Sequence, residues 1–566
     1  MSNETGSIAR RHDLDALRAI AMLLGIVLHG ALSFVPLPDE AWAVHDVKQH
    51  SAYGVLMSVV HGFRMPLFFL ISGFFTAMLW RKRGLLALME HRFKRIFVPL
   101  MIGLFTIVPS VWVVSIGVNI DWRGGEGGSE VVEAPSGFWA AVIEGDVEAL
   151  ANSVEDDTDL DGRDPSFQCT PLAVAAWHGN VEVMAYLLDE GADISAPSGD
   201  GSTALHGAAF FGRVEAAELL MNRGADINQK NYNGETPIDS LRIDWETTQY
   251  FASTLSVHAD KRAVEAGRSQ IANMMQVDPL PEESQQDIEI NGFWMLLTVF
   301  PFWHHLWFLV FLCWLVIAFP VYALFAKISP VKAPKWLFNS WFCYLWLIPL
   351  TMVPQSSMGL LYPNYGPDTS AGLLPIPAVL FYYAIFFFFG AMYFDCDDQE
   401  GRLGSKWRWT LPIALIAIFP LGYELTLGEL GINVDWLKQE YQRPLSVFLQ
   451  VTYAWLMTFA SMGLFRSLHS AENKTMRYLS DSSYFLYLAH LPLIILVQAF
   501  VRDWPVPGVI KLTLICTVTS LILLACYQLC VRYTLIGTML NGRRQRPQPA
   551  LERGLKEQEF TEITKA

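Results

Sequence analysis

The chain has 566 residues, of which 52% are hydrophobic and 17% charged, with a formal net charge of −15 and a mean hydropathy of +0.30. Soluble globular chains carry about 25% charged residues, so this composition excludes a purely soluble protein, together with disordered and collagen-like classes. The seven cysteines stand at 169, 313, 343, 396, 516, 526 and 530 with no CxxC or CxxH cluster, which argues against a disulfide scaffold and against a cysteine-based zinc or redox site.

A bilayer crossing needs about 20 mostly apolar residues. Candidate spans fall at 14–36, 53–80, 96–118, 293–326, 336–357, 373–394, 408–428, 445–465, 480–501 and 508–532, about ten in all. The start MSNETGSIARRHDLDALR runs into an apolar segment too long for a cleavable signal peptide, so the first span is expected to be retained. Alternate loops are rich in Lys and Arg, from Arg10 and Arg11 through Arg81–Arg83, Arg92, Lys94 and Arg95 to Arg532 and Arg543. The intervening loops are poorer in them, which predicts cytoplasmic termini in a multi-pass inner (plasma) membrane protein.

Between the third and fourth spans the chemistry changes. Residues 121–292 hold 9 Lys+Arg and 32 Asp+Glu, a net of −23, and the remainder is left with +8. Such a break marks an inserted soluble domain, which the loop charges and the three preceding spans put on the outer, extracytoplasmic side. Within it TPLAVAAWHGNVEVMAYLLDEGADI starts at 170, TALHGAAFFGRVEAAELLMNRGADI at 203 and TPIDSLRID at 236, with a degenerate copy at 138–150. The period of 33, with a TPL/TAL turn, paired helices and a GAD turn, is the ankyrin signature. The reading is an all-α chain: a membrane bundle of about ten spans carrying an ankyrin solenoid. Its parts are expected at 1–120 (spans one to three), 121–260 (repeats), 261–292 (linker), 293–535 (spans four to ten) and 536–566 (cytoplasmic tail). The acidic tether 276–290, with two prolines, is expected to hold the insert apart from the fourth span. Ankyrin stacks bind proteins on a concave face and perform no chemistry. The insert is therefore expected to recruit a neutral or basic protein partner, and its charge argues against nucleic acid and anionic lipid.

Ionisable side chains inside spans are costly and need a partner or a task. Arg18 and His29 share the first span, about 16 Å apart along a helix and within about 20° of the same face. His61 and Arg64 lie one turn apart in the second span, His304 and His305 are expected well inside the fourth, and His490 sits in the ninth. Arg92 and Arg95, three residues apart on a helix entering the bilayer, suit a phosphate-bearing ligand gripped by two guanidiniums.

Arg18-x10-His29 in LDALRAIAMLLGIVLHG, followed by FRMPLFFLISGFF, HRFKRIFVP, HLWFLVFL and YLSDSSYFLYLAHLP, resembles the integral-membrane acyltransferase 3 family. The likeness is to its osmoregulated periplasmic glucan succinyltransferase-like branch, and it is interrupted by the ankyrin block. That resemblance implies O-acyl transfer, of the acetyl or succinyl class, from cytoplasmic acyl-CoA to a hydroxyl of an extracytoplasmic glycan or glycoconjugate, within membrane lipid and with no metal. The chemistry must deprotonate an alcohol as its oxygen attacks a carbonyl, the work of a general base such as histidine. His29 is the candidate base, or a transient acyl carrier. Arg18 would hold the donor or orient a carboxylate, His61 and Arg64 would stabilise an oxyanion or orient the acceptor, and Arg92 and Arg95 would take the CoA phosphates. His305 and His490 are further intramembrane candidates. Two other classes compete: a proton-coupled secondary transporter, and a non-catalytic anchor displaying the ankyrin module.

Overall fold

The computed structural model describes residues 11–542 apart from 37–41, 120–136, 155–157, 165–167, 278–296, 329–333, 361–362 and positions 233, 299, 435, 470 and 472. All regular elements among these residues are helical. The first membrane segment comprises α1 (His12–Ala31), α2 (Ser51–Arg83), α3 (Leu85–Arg92) and α4 (Val98–Asn119), the last two joined by a π-turn at Phe93–Phe97. The insert contributes α5 (Phe138–Glu144), α6 (Val147–Ser153), α7 (Pro171–His178), α8 (Val181–Asp189), α9 (Ala204–Phe210), α10 (Val214–Asn222), α11 (Pro237–Ser240), α12 (Trp245–Thr254) and α13 (Lys261–Met274). The second membrane segment begins with α14 (Trp307–Ile328), α15 (Trp336–Asn339), α16 (Phe342–Gln355) and α17 (Pro377–Cys396). It ends with α18 (Trp407–Ile413), α19 (Phe419–Leu427), α20 (Gln439–Leu468), α21 (Lys474–Val501), α22 (Gly508–Cys526) and α23 (Leu535–Asn541).

Among the described residues nine helical stretches are long and apolar enough to cross a membrane. The expected fifth span is the exception, because it is split: α15 stops at Asn339, Ser340 is extended, and the 14-residue α16 follows. Trp346 at its start bonds Leu337 of α15, while Gln355 at its end reaches Gly366 and α20. About ten spans is therefore nine long helices and one short, two-piece element.

Helix pairs in the bundle meet where side chains are small. A Cβ on Gly73 of α2 would overlap the carbonyl of Phe387 in α17, and one on Gly390 of α17 would overlap that of Leu70 in α2. The reciprocal glycines bring two backbones together, the close approach that drives helix association in lipid, where apolar burial gains little. Around this seam stack Phe69 on Tyr383, with ring centroids 4.6 Å apart, and Phe386 on Trp455, at 3.9 Å. The aromatic runs at 68–69 and 386–389 are thus packing residues.

In the insert each TxxA, TxxH or TxxD motif starts a helix. Thr170 accepts from the Ala173 N–H at 3.3 Å, and Thr203 with His206 and Thr236 with Asp239 form reciprocal capping boxes. His206 Nδ1 accepts the Thr203 N–H at 3.1 Å, so its Nε2–H donates to the Glu235 carbonyl, 3.1 Å away in the next repeat. Gly191 and Gly224 close the second helices at φ +104° and +91°, a left-handed conformation that suits glycine. Residues 261–274, expected in the linker, form α13 instead, and its Ile271 and Ala272 belong to the repeat core. Amphipathic helices bury an apolar face, and the last repeat needs a cover for its own. Most of the acidic tether, 278–290, lies outside the described residues.

Candidate functional site

The imidazole of His490 turns back on its own helix, its Nδ1 lying 2.8 Å from the Tyr487 carbonyl and 3.1 Å from that of Leu486. Carbonyls only accept, so Nδ1 carries the proton and Nε2 is an acceptor. That Nε2 faces Nδ1 of His29 at 3.0 Å. His29 therefore donates from Nδ1, and its own Nε2 keeps a lone pair, the state a general base requires. Two histidines that are 461 positions apart thus form one relay. His29 is oriented by an imidazole where the histidine bases of soluble enzymes often use a carboxylate.

Three elements surround the pair. The Trp42 ring lies nearly parallel to that of His29, centroids 6.1 Å apart; its indole N–H donates to Gln498 Oε1 at 3.0 Å, and Gln498 Nε2 donates to the His29 carbonyl at 2.9 Å. The Arg64 guanidinium packs on Gly25, one helical turn before His29, and acts electrostatically on His29 and His490; its buried Nε has no hydrogen-bond partner. His305 lies edge-on to His490, ring centroids 5.2 Å apart. Its Nε2 donates to the Leu488 carbonyl at 3.1 Å, and its buried Nδ1 is without a partner.

Two sequence expectations change here. His61 does not join the group, because its Nε2 donates to the Pro367 carbonyl at 2.8 Å and holds the 364–368 loop on α2. His304 and His305 do not lie deep inside a continuous span. They form a 3-10 turn ahead of α14, with His304 at φ +44° and edge-on to Trp112.

At the far end of α1 guanidiniums gather. Arg18 Nη2 donates to Ser480 Oγ at 2.7 Å and lies 3.7 Å from Asp15. Arg92 Nη2 donates to Thr76 Oγ1 at 2.8 Å, and Arg92 feels the charges of Arg95 and Arg18. The buried Nε atoms of both Arg18 and Arg92 have no partner. Mutually repelling guanidiniums with spare N–H groups have the chemistry that suits a polyanion such as phosphate. Among the described residues no group of three or more His, Cys, Asp or Glu side chains is arranged to hold a metal.

The comparisons with known proteins follow this division. A family model described as acyltransferase domain matches residues 11–126 and 274–527, well over half of the chain. The chain belongs to that acyltransferase family. A second model, ankyrin repeats (3 copies), matches 138–231, so this member of the family carries ankyrin repeats between the two matched parts of its acyltransferase domain. Similar curated proteins include glucans biosynthesis protein C of Escherichia coli (strain SMS-3-5 / SECEC), 34% identical over 92 residues, which are 16% of this chain and 23% of the relative. Its namesake from Shigella dysenteriae serotype 1 is 32% identical over 118 residues, 20% and 30% of the two chains. The chain thus spans less than a third of the length of the curated relatives it matches.

Several residues that support His29 were not singled out in the sequence. Trp42 and Gln498 are ordinary interface and span residues until folding sets them on His29. Lys511 left a legible signal, a lone cation in an apolar span. Its Nζ lies 2.7 Å from Asp46 Oδ2, with the two side chains 0% and 2% exposed, and it donates to the Arg502 carbonyl at 2.6 Å. The pair clamps the loop that carries Trp42.

Proposed function

We propose that the chain is a membrane O-acyltransferase that moves an acyl group, of the acetyl or succinyl class, from acyl-CoA to a hydroxyl of a glycan. The observation that carries this reading is the 3.0 Å contact between His490 Nε2 and His29 Nδ1, because it leaves His29 Nε2 free to take the acceptor proton. As the hydroxyl oxygen attacks the thioester carbonyl, that proton passes to His29. The tetrahedral oxyanion is met by the Arg64 guanidinium, whose charge acts on both histidines and which among the described residues has no ion-pair partner. Collapse expels the CoA thiolate and leaves the ester, and the imidazolium passes its proton to that thiolate, which regenerates the base and releases CoA as the thiol.

Arg18, Arg92 and Arg95 bind the phosphates of the donor at the opposite end of α1. Eleven residues separate Arg18 from His29, about 16 Å of helical rise, a gap that the flexible arm between CoA's phosphates and its thioester crosses. The basic loops make the guanidinium end cytoplasmic and the insert end extracytoplasmic, in a bacterial-type inner membrane. The acidic insert, through its concave face, engages a neutral or basic protein outside. His61 acts on the acceptor side indirectly, by holding the 364–368 loop.

The test uses sealed membrane vesicles, radiolabelled acetyl-CoA and succinyl-CoA, and a glucan oligosaccharide. Label should appear on the glycan with the unaltered protein and disappear with His29→Ala. Absence of transfer from either donor, or equal transfer by His29→Ala, refutes the proposal.

A further inference from the structure

The tips of the repeat turns reach the membrane domain. Gly199, Asp200 and Tyr232 of the insert, with Gln355, Arg443 and Gln450 of the bundle, line a cavity of about 20 Å³, room for one water-sized group. Its floor is a closed network of amides. Gln450 Oε1 accepts from the Gly366 N–H at 3.0 Å and from Gln355 Nε2 at 3.1 Å. Gln450 Nε2 donates to Thr426 Oγ1 and Ser446 Oγ, at 3.1 and 3.0 Å. Gln355 Nε2 also donates to the Gly366 carbonyl at 3.0 Å. With the amide oxygen and nitrogen of Gln450 both engaged and the nitrogen of Gln355 committed, Gln355 Oε1 remains. It is an acceptor on a side chain 2% exposed, without a hydrogen-bond partner. A buried amide oxygen left this way calls for a donor.

We infer that the insert and the membrane domain jointly form a recognition site for an uncharged, hydroxyl-rich glycan, with one sugar hydroxyl or hydroxymethyl group entering the cavity to donate to Gln355 Oε1. The chemistry at the rim fits that ligand. Tyr232 offers an aromatic face and is anchored through its backbone N–H to the Asp200 carbonyl at 3.0 Å. The Asp200 carboxylate, held by the Ser202 N–H and hydroxyl at 2.9 and 2.8 Å, keeps further lone pairs as acceptors, while Arg443 is fixed by the carbonyls of Ser356 and Met358, at 3.1 and 2.7 Å. One carboxylate against one guanidinium gives no net preference for an ion, and the surrounding insert, at −23, repels polyanions. Gly366 ties the site to the reaction, for its backbone contacts Gln355 and Gln450 on one side and lies against Gly62 and His61 of α2 on the other. The cavity is therefore one loop away from the helix that bears Arg64.

This site deepens the proposed function and rests on the glycan-acceptor reading, so its test measures binding without turnover. Full-length protein in nanodiscs is titrated with a neutral linear glucose hexamer, and with a hexauronate as anionic control, by saturation-transfer NMR. The expected result is hexamer binding by the unaltered protein and by His29→Ala. Tyr232→Ala, which leaves the bundle interior intact, and Gln355→Leu should each bind at least tenfold more weakly, and the hexauronate should not bind. No hexamer binding, equal affinity in Tyr232→Ala whatever Gln355→Leu does, or preference for the hexauronate overturns the site. Loss of acyl transfer with hexamer binding retained counts against the enzymatic reading alone.

Discussion

Gly25 and Arg64 occupy one space: a Cβ at position 25 would overlap Nη1 of the Arg64 guanidinium. The absence of a side chain on α1 thus lets a cation from α2 lie one turn from His29. Gly25→Ala adds only one methyl group to a helix, where alanine is favoured over glycine. It should nevertheless lower acyl transfer by about a hundredfold, the scale of losing one oxyanion-stabilising group. Protein levels in the membrane should stay unchanged. Full activity in Gly25→Ala would show that Arg64 need not sit there.

His490→Ala removes the acceptor that holds His29 Nδ1–H while leaving His29, the proposed base, in place. The expected loss lies within about 10²–10⁴-fold, the range of a positioned acid–base group, and it should fall on kcat rather than on the acceptor KM. Loss of acceptor affinity alone, with kcat preserved, would assign His490 to binding.

Arg92→Ala and Arg95→Ala should raise the KM for acyl-CoA with little change in kcat, as expected when ground-state phosphate contacts are removed. Arg92 should have the larger effect, since it is tied to Thr76 and carries a buried Nε with no partner. An unchanged donor KM with reduced turnover would refute this assignment.

Lys511→Met strands the Asp46 carboxylate, whose side chain is 2% exposed. Breaking such a buried pair costs about 3–5 kcal/mol. The variant should lose thermal stability in detergent and release the Trp42 loop, and the double change Asp46→Asn with Lys511→Met should recover much of the loss. A double variant less stable than Lys511→Met would argue against an ion-pair clamp.

Burial holds the His206 imidazole below its usual value, against the opposing pull of the Glu235 carbonyl; burial and then Arg213 do the same to His178. The folded repeats therefore bind fewer protons than the unfolded chain. Their contribution is complete above the unfolded value of about 6.5 and is lost as the pH falls from there through the folded values. Hydrogen exchange in α7 and α9 of the full-length protein, corrected for intrinsic rates, should be faster at pH 5.5 than at 7.5. Equal protection at the two values would contradict this.

The membrane bundle and the repeats were legible in the sequence because each rests on local periodicity. Apolar length marks a span wherever it packs, and a 33-residue period marks ankyrin repeats before any neighbour is known. The family follows from ordered segments such as Arg18-x10-His29 and HRFKRIFVP. The fifth span was legible only as hydrophobicity, which does not register the break at Ser340. Residues 261–274 read as linker because one amphipathic turn pattern beside an acidic tether does not say which surface will cover it.

The site depended on tertiary structure. His29, His490, His305 and Arg64 were each visible as an ionisable group in an apolar span, yet periodicity places a residue on a face and not against a partner. Only packing sets Nε2 of His490 on Nδ1 of His29, turns His61 away to Pro367, and brings Lys511 to Asp46 across 465 positions. Polar groups removed from water must find partners wherever the fold supplies them. Those partners come from helices distant in the chain, so composition and periodicity can announce the need for a partner but leave its identity to the fold.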